Sequence, residues 1–547
     1  MATTTEDQPT PGGRGQQRVD VEKALLGGST YKGIAEQKLS PREERFEKRR
    51  RTTGFVLAPL ATIVIFLLPL DLPQNQHVVA AVLAGVIVAW VTEPVPIPVS
   101  GMIGASVLVL FGIGGEEGAD AVLAPFGSGT IFTFIGAFIL AQSMLKHGLA
   151  ERFAFRILSL PGVGRSTTRV IIAFGLITCA LSAFVSNTAT VAMLLPTALG
   201  ILAVIANLIQ DQRIERGENQ GFDPTRLRVG FALMLMLAYG ASVGGLLTPV
   251  GSPPNLIGRE LIEQATGQAI PFANWMALAL PVCALMFVAL VLILLLLNKP
   301  EIKHLTGVEE YVQSERERMG PLSRAEKNTL IAFSVTVSLW IFPGVVALVA
   351  GGDSAIYTTI STRMDEGVVA VLGASLLFML PVDWQSREFT LTWGDAARID
   401  WGTIVLFGTG VIFGTLLEET GLAETIGKGS YNALGIGSAV AITVFAVVLA
   451  IVVSETTSNT ASAAVVVPII IPLAEAAGVN PFVPALAATF AASFGFMLPV
   501  STPQNAVVYG SGAVPITKMI RSGISFDILG AILILLFLPL LIPVFLT

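Results

Sequence analysis

The chain has 547 residues, 53% hydrophobic and only 13% charged, with a mean hydropathy of +0.73 and a formal net charge of −6. A soluble protein carries about 25% charged residues, and one soluble core stops growing at roughly 250–300 residues, so these figures point to a polytopic membrane protein. Two cysteines exclude a disulfide scaffold, and an acidic balance with no basic domain argues against nucleic acid as a partner.

Residues 1–53 form the first expected unit, a polar cytoplasmic tail with 11 Lys/Arg and 8 Asp/Glu and no apolar core. They fit neither a signal peptide nor a transit peptide. The cluster Lys48-Arg49-Arg50-Arg51 abuts the first apolar run and reads as a topology anchor. Eleven runs are then long enough to cross a bilayer as helices: 55–70, 78–92, 99–113, 127–146, 229–250, 272–298, 329–350, 367–382, 402–418, 484–508 and 525–546. They lack the alternation of a barrel.

Two further apolar stretches, 168–208 and 438–474, carry a polar motif at their middle. Read as re-entrant hairpins, they leave 11 crossings, with the N-terminus cytoplasmic and the C-terminus outside. Thirty of the 33 Lys/Arg then lie inside, and only Arg259, Arg363 and Lys428 lie outside. If each stretch crossed once instead, the basic segments 210–228 and 299–327 would face outward, against the positive-inside rule.

The halves repeat. Thr130-Ile131 through Gly148-Leu149-Ala150-Glu151 matches Thr403-Ile404 through Gly421-Leu422-Ala423-Glu424. Ser186-Asn187-Thr188-Ala189 matches Ser458-Asn459-Thr460-Ala461, each followed by a proline, Pro196 and Pro468. Val250-Gly251-Ser252-Pro253-Pro254-Asn255 matches Val500-Ser501-Thr502-Pro503-Gln504-Asn505. An odd number of crossings between the copies inverts the second, which is the signature of secondary transporters. The expected units are scaffold helices of repeat 1 (54–166), a hairpin and broken helix (167–298), a cytoplasmic linker (299–328), scaffold helices of repeat 2 (329–436), and a second hairpin and broken helix (437–547).

The prolines break helices at membrane depth, where free backbone survives only inside protein or beside a water-filled cavity. Freed carbonyls suit a hard cation, and freed N–H groups suit an anion. Ser-Asn-Thr at each hairpin tip adds hydroxyl and amide groups. A single such motif most often packs or bonds to backbone. Two copies, each matched to a broken helix, read as two small-cation sites flanking one anionic solute.

Glu455, an intramembrane carboxylate, either shapes the tip through hydrogen bonds or carries a proton, with the structural role favoured. Glu93 reads as a helix cap or scaffold contact. Gly240-Ala241-Ser242-Val243-Gly244 matches the hydrolase G-x-S-x-G elbow but lies in an apolar helix, not a strand–turn–helix. His77, His147 and His304 fall in loops or helix ends. With no metal-ligand spacing, P-loop or dinucleotide fingerprint, neither an enzyme nor a cofactor is expected.

These motifs resemble the divalent-anion:sodium symporters, the sodium-coupled dicarboxylate and citrate carriers, over roughly residues 55–547. Phe496-Met497-Leu498-Pro499-Val500-Ser501-Thr502-Pro503 adds to the match. The resemblance implies an all-α homodimer in the cell membrane, each protomer with a scaffold and an elevator-type transport domain. It implies one sodium site at Ser182, Ser186, Asn187 and Gly251, and another at Ser454, Thr457, Asn459 and Ser501. Substrate carboxylates would meet Asn187, Thr188, Ser252, Asn459, Thr460 and Thr502. Gln504, where bacterial members often have a second proline, and Ser454, where threonine is common, depart from the pattern. The pattern holds no Lys or Arg, so sodium would supply the positive charge a dianion needs.

The leading expectation is sodium-coupled symport of C4-dicarboxylates such as succinate, malate or fumarate. The alternatives are a sodium-independent dicarboxylate or 2-oxoglutarate exchanger, a sulfate or citrate carrier, and a cation/proton antiporter of related architecture.

Overall fold

A computed structural model describes residues 18–25, 41–218, 221–352 and 354–546. Its helices in the first half are α1 (Val21–Leu25), α2 (Pro41–Leu67), α3 (Gln74–Thr92), α4 (Ile97–Leu110), α5 (Ala119–Leu123), α6 (Gly129–Lys146), α7 (Leu149–Leu158), α8 (Thr167–Ser182), α9 (Asn187–Glu215), α10 (Arg228–Gly245), α11 (Pro253–Thr266) and α12 (Phe272–Leu297). The second half holds α13 (Val308–Met319), α14 (Arg324–Ala350), α15 (Ala355–Arg363), α16 (Glu366–Met379), α17 (Trp393–Ala396), α18 (Trp401–Glu419), α19 (Leu422–Leu434), α20 (Ala439–Thr456), α21 (Asn459–Ala476), α22 (Phe482–Ala491), α23 (Pro503–Gly510) and α24 (Ile516–Phe545). The chain is an all-α polytopic membrane protein.

Eleven of the described helices are long and apolar enough to cross a membrane by length and composition. They are not the same eleven segments as the expected crossings. They include α9, α20 and α21, which belong to the apolar stretches read as hairpins, and omit the shorter α4, α16 and α22.

Each expected run meets a helix, with three differences. The helix of the run 55–70, α2, starts at Pro41, so Lys48–Leu67 is one continuous candidate span that takes in the basic cluster. Glu, Lys and Arg are good helix formers, and nothing in 42–51 stops the helix. The helix of the run 367–382 stops at Met379, and the chain turns into a two-stranded antiparallel ribbon, β1 (Pro381–Asp383) and β2 (Glu388–Phe389). The short amphipathic helices α7, α13 and α19 occupy segments between the expected spans.

The described tail residues 18–25 do not stand apart from the helices. Val21 and Leu25 of α1 are buried, and α1 packs on α9. Arg18 pairs with Asp211 at 3.2 Å. The buried Gln210 amide, turned with its nitrogen toward Val19 O, meets both backbone groups of Val19 at 3.1 and 2.6 Å.

α10 is the axis of one half. It is buried from Val229 to Gly245, and α8, α9, α12 and α23 pack on it. The start of α8 lies at the end of α12, where Thr167 Oγ1 donates to Ile302 O at 2.6 Å, and Glu301 accepts from Arg228 N at 2.6 Å. In the other hairpin Ser462 Oγ donates across to Ala450 O at 2.8 Å, so α20 and α21 run antiparallel. A second layer is built on α6 against α16, α4 against α18 and α2 against α3. Large apolar side chains such as Leu292, Leu296, Val440, Val452 and Leu540 point outward, the face that lipid would cover.

Candidate ion and substrate site

Each hairpin tip makes the same two bonds. Ser186 is the N-cap of α9, and its Oγ accepts the Ala189 N–H at 3.3 Å. Ser458 caps α21 in the same way from Ala461 at 3.2 Å. Ser182 Oγ donates to Asn187 Oδ1 at 2.7 Å, and Ser454 Oγ donates to Asn459 Oδ1 at 2.8 Å. All four of these serine and asparagine side chains are buried.

The broken helices repeat as closely. α10 stops at Gly245 and the chain resumes as α11 at Pro253; α22 stops at Ala491 and resumes as α23 at Pro503. Proline at the first helical position removes an N–H that would be orphaned there anyway. Asn255 Nδ2 donates to Gly245 O and Thr248 O at 2.7 and 2.8 Å. Asn505 Nδ2 donates to Gly495 O and Leu498 O at 2.8 and 3.1 Å.

Oxygens gather at both places. Ser454 Oγ lies 2.8 Å from Asn459 Oδ1 and 2.8 Å from Ala492 O, and its one proton serves one of them. A Cβ on Gly251 would lie 2.6 Å from Gly245 O and 2.8 Å from Ala183 O, so only glycine fits between those carbonyls. Neutral hydroxyl, amide and carbonyl oxygens with few protons among them fit a small hard cation. Among the described residues no group of three or more His, Cys, Asp or Glu could hold a metal ion.

The remaining expected ligands divide. Thr188 and Thr460 are half-buried, one residue beyond each tip asparagine. Ser252 and Thr502 are buried N-caps of α11 and α23. Thr502 Oγ1 accepts the Asn505 N–H at 3.3 Å, whereas Ser252 Oγ has no partner. Thr457 Oγ1 donates back to Val453 O of its own helix at 2.7 Å. Ser501 Oγ lies 2.7 Å from Glu455 Oε2 and 3.0 Å from Glu455 O.

Glu455 is buried and doubly engaged, because its Oε1 accepts the Met497 N–H at 2.8 Å. Gln504 Nε2 donates to Ser242 Oγ at 2.9 Å, so the G-x-S-x-G serine sits inside α10, bonded across the repeats. Arg50 pairs with Glu93 at 3.1 Å, and Glu93 caps α3 in a left-handed conformation, φ 48°. α23 packs on α9, and α11 packs on α21, so each repeat's hairpin helix meets the other's post-break helix. Among the described residues no Lys or Arg bonds to any of these site groups.

Two residues were not singled out from the sequence. Asp527 of α24 is buried against the Glu455 carboxyl, and no backbone N–H or other described side chain donates to its oxygens. An acid in an apolar run was the available signal. Tyr239 Oη lies 2.7 Å from Phe496 O and 3.0 Å from Met519 O, which ties α10 to the second unwound segment and α24.

The sequence profile of the sodium:sulfate symporter transmembrane region matches residues 49–545. The chain belongs to this family of divalent-anion:sodium symporters. It is 30% identical over 494 residues to the sodium-dependent dicarboxylate transporter SdcS of Staphylococcus saprophyticus, across 90% of this chain and 91% of that protein. It is 29% identical over 495 residues to the protein of the same name from Staphylococcus aureus, with 90% and 91% covered. Among solved structures it resembles MtrF of Neisseria gonorrhoeae, described with a class of antimetabolite efflux pumps, at TM-score 0.50 and 14% identity. That match covers 87% of this chain and 97% of the other, and concerns the fold alone.

Proposed function

We propose that this protein couples inward sodium flow to uptake of a C4-dicarboxylate such as succinate, malate or fumarate. The observation that carries the reading is the twofold recurrence of one constellation: a Ser–Asn bond at a hairpin tip beside a broken helix, built from neutral oxygens. The names of the relatives, sodium-dependent dicarboxylate transporters, support the ion and the solute class.

Sodium would be held by Ser182, Ser186, Asn187 and Gly251, and again by Ser454, Thr457, Asn459 and Ser501. Thr457 is the weakest member, since its hydroxyl is turned toward Val453. The carboxylates would meet Asn187, Thr188, Ser252, Asn459, Thr460 and Thr502. The N-termini of α9, α11, α21 and α23 bring N–H groups suited to an anion. Without a fixed cation, the dianion's charge is offset by the sodium ions, so each ligand strengthens the other.

Transport would proceed in a homodimer in the cell membrane, N-terminus inside, by an elevator motion of α8–α12 and α20–α24 against the other helices. Arg259 of α11 marks where that motion must break contact, because it forms a forked pair with Glu366 of α16 at 2.7 and 3.1 Å. Succinate uptake into proteoliposomes should require sodium. Uptake unchanged when choline replaces sodium would defeat the reading.

A further inference from the structure

The loop asparagines Asn255 and Asn505 lie outside both expected ligand sets, yet they make the same unusual pattern twice. Both are fully buried. In each, the amide nitrogen donates to the carbonyls ten and seven residues earlier, those of Gly245 and Thr248 and of Gly495 and Leu498. These carbonyls lie at or just beyond the break, where the helix no longer supplies N–H partners. In each, the amide oxygen has no hydrogen-bond donor in the protein. A bare buried acceptor is costly, and the cost is borne at both equivalent positions.

The glycines show what the clamp holds. A Cβ added to Gly245 would fall on Asn187 Oδ1, and one added to Gly495 would lie 3.0 Å from Asn459 Oδ1 and 3.2 Å from Ser454 Oγ. The same contact order therefore runs through each repeat: loop asparagine, glycine carbonyl, tip asparagine, tip serine. Between the two ends of each clamp sit Gly251 and Ser252, or Ser501 and Thr502.

We propose that Asn255 and Asn505 are positioning residues that fix the unwound segments so that their carbonyls and the tip asparagines face the two cations. This rests on the sodium-coupled reading above. Releasing one amide frees two carbonyls, lets the glycine withdraw from the tip, and weakens the cation site of that repeat. Thr188, Thr460 and the N-termini of α9 and α21, which lie outside the clamped segments, remain.

The experiment is sodium titration of succinate uptake in proteoliposomes for wild type, Asn255→Ala and Asn505→Ala, with succinate binding measured separately at saturating sodium. Each variant should raise the half-saturating sodium concentration about tenfold or more, while succinate affinity at saturating sodium stays within about twofold. A merely structural role would reduce the amount of folded carrier and leave the half-saturating sodium unchanged, which overturns the proposal. Should an alanine variant fail to fold, the serine variant, which keeps one donor, replaces it. Loss of folding in both assigns the amides to structure alone and also overturns it. Sodium-dependent wild type with unaltered variants defeats only the clamp. Wild type without sodium dependence defeats the sodium reading, and the clamp with it.

Discussion

The two halves of the site share a backbone plan but are braced differently. In the second, the Glu455 carboxylate holds Met497 N and Ser501 Oγ. The position equivalent to Glu455 in the first half is Ala183, and there Thr248 Oγ1 donates to Ala183 O. The first half places a bare glycine, Gly251, where the second places Ser501. Its cap hydroxyl on Ser252 is unpartnered, while that on Thr502 is bonded. Its post-break helix is tied to α16 by Arg259, where α23 has Tyr509. The shape is set by the asparagines and the break, which both halves keep. The braces are free to differ, and they give the second site a carboxylate that the first lacks.

The largest expected effect comes from removing what both halves share. Asn187→Ala or Asn459→Ala should each lower sodium-driven uptake by about 100-fold, since in the proposed function each asparagine is a ligand to both cation and carboxylate. Uptake within twofold of wild type for either would break the equivalence of the halves. Next, Glu455→Gln keeps the side chain's size but not its charge. It should raise half-saturating sodium by about tenfold through the second site alone, with no comparable residue to change in the first. An unchanged sodium curve would show that the carboxylate only shapes the loop.

The cap hydroxyls sharpen the contrast further. Thr502→Ala should cost about 0.5–2 kcal/mol of stability, the usual range for an N-cap. Ser252→Ala should leave the melting temperature nearly unchanged while weakening succinate binding. Equal destabilisation would contradict the difference between the bonded and the free hydroxyl. The smallest effect lies outside both halves. Lys146 Nζ at 2.8 Å, together with Thr392, holds the Asp395 carboxyl well below the usual carboxylate range. A depressed value stabilises the fold above the unfolded carboxyl's pKa, and that gain is lost as pH falls through the folded one. Asp395→Asn should therefore melt slightly lower at neutral pH, by at most about 1 kcal/mol, with the gap closing in strong acid.

Much of this was legible in the sequence. Apolar runs longer than 14 residues and the paired Ser-Asn motifs located all eleven of the described long apolar helices and both tips, because hydrocarbon admits few alternatives. The Asn255 and Asn505 pairs were visible as repeats, but their clamp was not, since bonds over ten and seven residues need the shape of an unwound segment. Asp527 carries only the weak signal of one acid in a 30-residue apolar helix, with no local partner to mark it. The β1–β2 ribbon and the docking of Val21 and Leu25 depend on distant surfaces, which local patterning does not encode.

The most direct test of the central claim is the mutual effect of sodium and succinate on the purified protein. Succinate affinity should rise with sodium, sodium affinity should rise with succinate by the same factor, and neither effect should appear in choline or potassium. Independent binding of the two, each affinity unmoved by the other ligand, would contradict the account.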